Sequence, residues 1–243
     1  MRKFGERILD YFKRADKVLW VIITAISVYA LILLRTVPST GSRSYFTTQL
    51  LAILIGYAAA FLLTGFDYRD LSSLWWLAAG VSVALLIYTH FRGIGIQSSG
   101  GMDTRAWIQI PGLGLTFQTS ELVKIVFMVT FAKHISTIKE KGLLNRPLHV
   151  ILLGLHALFP VGWMVLVQKD MGSAVVFFFM FLAMSFAAGV QLRWFAAVAA
   201  MLAVVLPAAW EFGVIQDYQK TRLTSFLHLE DDPTGTGWQQ IQG

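Results

Sequence analysis

Residues 100–133 read GGMDTRAWIQIPGLGLTFQTSELVKIVFMVTFAK, and the fold is decided by how this stretch is read. A polar, glycine-broken loop carrying Arg105 and Trp107 turns into an apolar helix that holds Glu121 and Lys124. An ionisable side chain at membrane depth costs about 2.5–3.5 kcal/mol on insertion scales, so it faces a partner or a water-filled cavity. Glu121 and Lys124 stand at i and i+3, on one helical face and within reach of each other. Two readings stand on this spacing: a structural ion pair that pins two helices, or one wall of a substrate cavity.

The rest of the chain requires a membrane. Of 243 residues 56% are hydrophobic and 14% are charged, against about 25% charged in a soluble domain. There is no cysteine, which removes disulfides and thiolate metal sites, and the five histidines show no metal-ligand spacing. The net charge of +6 comes from short segments between apolar runs, the pattern of topology signals rather than of a nucleic-acid surface.

Apolar runs at Val18–Leu34, Phe46–Phe66, Leu74–Phe91, Leu122–Phe131, Leu148–Val167, Gly172–Val190 and Trp194–Phe212 predict an all-α polytopic bundle with seven spans. The fourth run is long enough only if its helix starts near Ser120 and continues past Lys133. Residues 1–17, with Arg2, Lys3, Arg7, Lys13, Arg14 and Lys17 among apolar residues, predict a cytoplasmic amphipathic segment on an anionic leaflet. No small-residue cleavage site follows the first apolar run, so it reads as a retained span rather than a signal peptide. The other basic concentration, Lys133, Lys139, Lys141 and Arg146, lies an even number of spans away, so both fall on the cytoplasmic side. Arg105, Asp170 and Arg222 then fall on the outer side. One membrane domain is expected over residues 18–212. Residues 213–243 form the polar start of a large extracytoplasmic loop, whose abrupt end reads as a truncation.

Three blocks of residues resemble the SEDS family (shape, elongation, division and sporulation), the RodA and FtsW type of peptidoglycan polymerase. The first is Arg105-Ala-Trp107-Ile108 with Phe117-Gln118-Thr119-Ser120-Glu121-Leu122-Val123-Lys124, similar to RRWI and FQPSE(L)xK. Gln168-Lys169-Asp170-Met171-Gly172-Ser173-Ala174 is similar to QPDLGTA. Tyr218-Gln219, Arg222, Phe226-Leu227, Asp232-Pro233, Gly235, Gly237 and Trp238-Gln239 follow the third. Thr119, Lys169 and Leu229 stand where the family commonly has proline.

The resemblance, RodA-like rather than FtsW-like, implies a ten-helix glycosyltransferase of the bacterial cytoplasmic membrane. It polymerises lipid II, the undecaprenyl-pyrophosphate-linked precursor, at the outer face during cell elongation. It also implies a partner, a class B penicillin-binding protein. The family's proposed catalytic aspartate belongs to a segment beyond residue 243, so no catalytic residue is assigned here and the chain is expected to be inactive alone. A lipid II flippase and a non-catalytic scaffold for the transpeptidase are the alternatives.

Expelling a lipid pyrophosphate requires positive charge at the leaving group and a base at the attacking hydroxyl. Guanidinium forks and ammonium groups grip phosphate, which makes Arg105, Lys124 and Arg222 candidates for the substrate cavity. Glu121 joins them as the partner of Lys124, and Asp170 as a carboxylate in a short outer turn. Each has a plainer reading: Arg105 beside Trp107 as an interfacial anchor, Asp170 as a helix N-cap, Arg222 as the polar face of an interfacial helix. A divalent cation at the pyrophosphate suits the chemistry, but no cofactor is identified and no ligand set is evident. His156, inside the fifth apolar run, reads as satisfied by a neighbouring helix.

Overall fold

The computed structural model describes residues 15–36, 45–64, 73–97, 103–110, 115–213, 215 and 220. The amphipathic segment expected before residue 15, and Arg222 with nearly all of the third motif block, lie outside the described residues. Two compact units are present, residues 1–74 and 75–243.

The first unit contains α1 (Lys17–Thr36) and α2 (Tyr45–Thr64). Asp16 caps α1, its Oδ1 accepting from the amides of Val18 and Leu19 at 2.9 and 3.2 Å. Trp20 stacks on Phe61 with centroids 5.6 Å apart, and Thr24 Oγ1 lies 3.1 Å from the Tyr57 hydroxyl. The start of α1 therefore meets the end of α2, so the two helices run antiparallel. Most of their leucine, isoleucine and valine side chains stay exposed, as lipid-facing surfaces do.

The second unit contains α3 (Trp75–Arg92), a three-stranded antiparallel meander, and α4 (Thr119–Glu140), α5 (Pro147–Leu166), α6 (Met171–Ala188) and α7 (Leu192–Glu211). The meander consists of β1 (Ile94–Gln97), β2 (Asp103–Ile110) and β3 (Leu115–Gln118). It corrects the expectation that the polar, glycine-broken stretch carrying Arg105 and Trp107 is a loop. Along β2, Ala106, Ile108 and Ile110 alternate with Arg105, Trp107 and Gln109, the period of a strand with one buried face. Gly95 of β1 pairs with Arg105 of β2. Gly93 makes the α3-to-β1 corner, where an added Cβ would collide with the Thr89 carbonyl that accepts its own amide.

Among the described residues, five of the seven helices are long and apolar enough to cross a membrane. The other two are α3, which ends in Thr89, His90 and Arg92, and α4, which carries Glu121, Lys124, Lys133, Lys139 and Glu140. The extension needed by the fourth span is present, since α4 runs through 22 residues. Its polarity follows from its place. Thr119, Ser120, Val123, Phe127, Thr130, Phe131, Ile135 and Ile138 are buried along one stripe, so this helix faces protein where its neighbours face lipid. Phe127 meets Phe177 of α6 edge to face at 5.5 Å, and Phe131 meets Phe181 at 5.7 Å. Phe131, Phe177 and Met164 are fully buried.

At the other end from the meander, the α4–α5 turn is stitched to the α6–α7 turn. Lys139 Nζ donates to the Ala188 carbonyl at 2.8 Å, and the Gln191 amide donates to Asn145 Oδ1 at 2.8 Å. Asn145 Nδ2 in turn donates to the carbonyl of Gly189 at 3.4 Å; Gly189 itself ends α6 at φ +97°. Gln191 offers no side-chain cap to α7, so Asn145 is the acceptor that holds its first turn. Asn145→Ala is expected to cost about 1 kcal/mol, a fall of about 2–4 °C in Tm. Asn145→Asp keeps the acceptor and should recover most of the loss; equal melting of Ala and Asp variants in detergent would count against this role.

Candidate functional site

β3 runs directly into α4, and that junction divides the candidate residues between two faces. Phe117, Glu121, Leu122, Lys124, Ile125 and Met128 point to one side, where with Met180 of α6 they line an open hollow of about 530 Å³. Gln118, Thr119 and Ser120 point to the other, into the bundle.

In the hollow, Lys124 Nζ donates to Glu121 Oε1 at 2.7 Å. The glutamate side chain is 62% exposed and the lysine 20%, so this pair does not pin two helices. An exposed i, i+3 pair contributes about 0–1 kcal/mol to stability. What it supplies is one ammonium and one carboxylate on an otherwise apolar wall, an arrangement suited to an amphiphile with an anionic head.

Behind the junction, six polar side chains are hydrogen-bonded in two neighbouring groups, Gln118, Asp170, Ser173 and Ser120 in one and Thr119 with Gln168 in the other. Gln118 Nε2 donates to Asp170 Oδ2 at 2.8 Å, and Gln168 Nε2 donates to Thr119 Oγ1 at 3.4 Å. Thr119 Oγ1 donates to the Ala106 carbonyl of β2 at 3.3 Å, and Ser173 Oγ lies 3.1 Å from Ser120 Oγ. Asp170 also accepts from the Ser173 amide at 3.0 Å and from the Ser173 hydroxyl at 2.7 Å. It therefore caps α6, as its plainer sequence reading proposed, and additionally holds β3. Gln118, Thr119, Ser120, Gln168 and Ser173 carried no site role in the sequence reading. Their signal was an amide followed by hydroxyls at the polar end of an apolar run, repeated in both blocks.

Lys169 occupies the left-handed region at φ +56°, which proline, locked near −65°, does not reach. The turn between α5 and α6 thus has its own backbone where the family commonly places proline. Arg105 lies on exposed β2, on the same sheet face as Trp107. Trp107 pairs with Gln118, so Arg105 stands one diagonal step from the amide that holds Asp170. The structure thus joins Gln118 to Asp170 and pairs Glu121 with Lys124, while Arg105 is placed by its strand two residues from Trp107, the cross-strand partner of Gln118. Among the described residues no group of three or more His, Asp or Glu is placed to hold a metal ion.

Lipid-facing helices and a strand-built junction beside an open hollow define an integral, multi-pass membrane protein. Residues 14–243 match the cell cycle protein family of FtsW, RodA and SpoVE, and the chain belongs to that family. It is 30% identical to the probable peptidoglycan glycosyltransferase FtsW of Trichlorobacter lovleyi, over 97% of this chain and 60% of that protein. A chain from a structure on coordination of polymerization and crosslinking by a peptidoglycan synthase complex superposes with a TM-score of 0.74. Its identity is 28%, covering 93% of this chain and 63% of that one. The Thermus thermophilus rod shape determining protein RodA gives a TM-score of 0.62 at 28% identity, covering 78% of this chain and 59% of the other. The chain thus spans about 60% of the length of the relatives it matches. Both RodA-type and FtsW-type proteins are found at comparable identity, so similarity does not separate elongation from division.

Stability measurements separate the two faces. Asp170→Ala removes the acceptor of three hydrogen bonds and is expected to destabilise by roughly 2–4 kcal/mol. Glu121→Gln should stay within about 0.5 kcal/mol. Thermal unfolding that ranks the two in the opposite order would show that Asp170 is not held as described.

Proposed function

We propose that this chain is the amino-terminal part of a peptidoglycan glycosyltransferase that polymerises lipid II, and that the Glu121–Lys124 hollow receives part of that substrate. The observation that carries the reading is a lone ion pair on the apolar wall of a 530 Å³ hollow, in a chain of the FtsW, RodA and SpoVE family. Lipid II joins an isoprenoid tail to a pyrophosphate. The walls suit the first, and the ammonium, held in place by its glutamate, suits the second. Arg105 and, from the third motif block, Arg222 are proposed as further contacts to pyrophosphate or sugar. Asp170 is proposed to act by holding the meander that carries Arg105.

The amino terminus is proposed to be cytoplasmic, with the meander on the outer face where glycan is made. A class B penicillin-binding protein is the proposed partner; the likeness to a chain of a peptidoglycan synthase complex that coordinates polymerization and crosslinking supports this. No residue among 1–243 is assigned as the catalytic base. Cell elongation is the proposed role, with division the alternative, and depletion distinguishes them: rounded cells accompany loss of elongation, filaments loss of division.

The test uses the longest protein that the gene encodes, in vesicles with fluorescent lipid II. A glycan ladder is expected, and Lys124→Ala should reduce it by about 10-fold or more with Tm little changed. Translocation of lipid II with no ladder would replace polymerase by flippase. A normal ladder from Lys124→Ala would remove the hollow from the substrate site.

A further inference from the structure

His134 of α4 and His156 of α5 face each other with their Nδ1 atoms 3.1 Å apart, their rings nearly parallel at 29°. On its other side, His156 Nε2 lies 3.3 Å from Thr130 Oγ1, and Thr130 Oγ1 donates to the Phe127 carbonyl at 3.2 Å. An Nδ1 to Nδ1 bond holds one hydrogen, so one ring donates and the other accepts. With the Thr130 hydrogen assigned to the Phe127 carbonyl, His156 carries its hydrogen on Nε2 and His134 donates from Nδ1.

We propose that His134 and His156 form a one-proton latch between α4 and α5. The pair accommodates one added proton on His134 Nε2, which leaves the Nδ1 to Nδ1 bond intact. A second proton has only His156 Nδ1 to occupy, where its hydrogen meets that of His134 head on. Two positive rings in contact then repel within a bundle of low dielectric. The surroundings do not offset this. The residues of α3 lining the adjoining cavity are Ala79, Ser82, Val83 and Leu86, and α6 contributes Phe177 and Phe181 to the rings around the latch. Neither helix turns a charge toward it. On α4 itself, Lys133 is exposed beside His134, Glu140 is exposed nearly two turns beyond it, and Glu121 lies more than three turns before it; on α5 the neighbouring titratable group is His149. The cavity beside His156, about 150 Å³, gives a displaced ring room to turn. Opening the latch therefore loosens the α4–α5 seam without requiring the whole bundle to repack.

The sign follows from proton counting. Below the ordinary imidazole range the unfolded chain carries two protons on these rings and the latched chain one, so stability falls as pH falls. The full chain in nanodiscs of neutral phosphatidylcholine is melted between about pH 8 and about pH 5.5. The expected result is a drop in Tm of at least ~3 °C for the unaltered protein. In His134→Gln and in His156→Gln, where a single ring titrates, the drop should be halved or less. His90→Gln, at the far end of α3, should retain it. An unchanged pH slope in both latch variants, or a slope abolished by His149→Gln alone, overturns the proposal. If neither latch variant folds, ¹⁵N-histidine spectra of the unaltered chain decide. A hydrogen-bonded Nδ1–H lost on acidification supports the latch, and two rings titrating independently refute it.

Discussion

A hydroxyl or amide taken from water into a helix bundle must find its partner inside that bundle, and the side chains behind the β3–α4 junction meet this requirement for one another except at Gln168 Oε1, which is buried without a partner. The bonds from Gln118, Thr119 and Ser120 reach across 49 to 53 positions of sequence to Gln168, Asp170 and Ser173. They close the whole α4–α5 hairpin against the start of α6. Because Thr119, Ser120 and Gln168 are almost fully buried, losing one partner leaves another group unpaired. These bonds therefore set where β3 ends and α4 begins. They also determine which residues face the hollow: with Thr119 and Ser120 turned inward, Glu121 and Lys124 must turn outward.

Apolar contact does less to arrange helices in lipid than in water, because the acyl chains are as apolar as leucine. Close packing and hydrogen bonds carry the arrangement instead. The phenylalanines of α4 and α6 supply packing, with Phe127 stacked on Phe131 at 5.1 Å and both set edge to face against α6. The polar residues supply uniqueness. A leucine stripe could slide by one turn at little cost, whereas Gln118 and Asp170 meet in one register only.

The spans were legible because lipid obliges each crossing segment to satisfy its own backbone, so length and hydropathy alone locate helices such as Pro147–Leu166 within a residue or two. The Asp170 cap was legible too, from a carboxylate three residues before Ser173 at the head of an apolar run. The meander was missed although its period is present in Arg105 to Ile110. The glycines on both sides drew the reading toward a loop, and strand pairing depends on partners that local pattern does not identify. The partner of His156 was expected on another helix, but its identity depends on the rotation of α4 against α5. Span counting carries no such information.

That rotation is itself fixed by polar contacts at two heights. At the meander end Gln168 of the α5–α6 turn meets Thr119, and fifteen residues further along α4 His134 meets His156. On a straight helix this separation is about 22 Å, most of a bilayer's hydrocarbon thickness. One contact between two rods leaves them free to swivel about it; two contacts so far apart remove both the swivel and the slide. The interval between them is filled by Val123, Phe127 and Phe131, which need only the right volume. A central helix so held can carry Glu121 and Lys124 at one end without those charges having any part in its placement. They are thus left available to whatever enters the hollow.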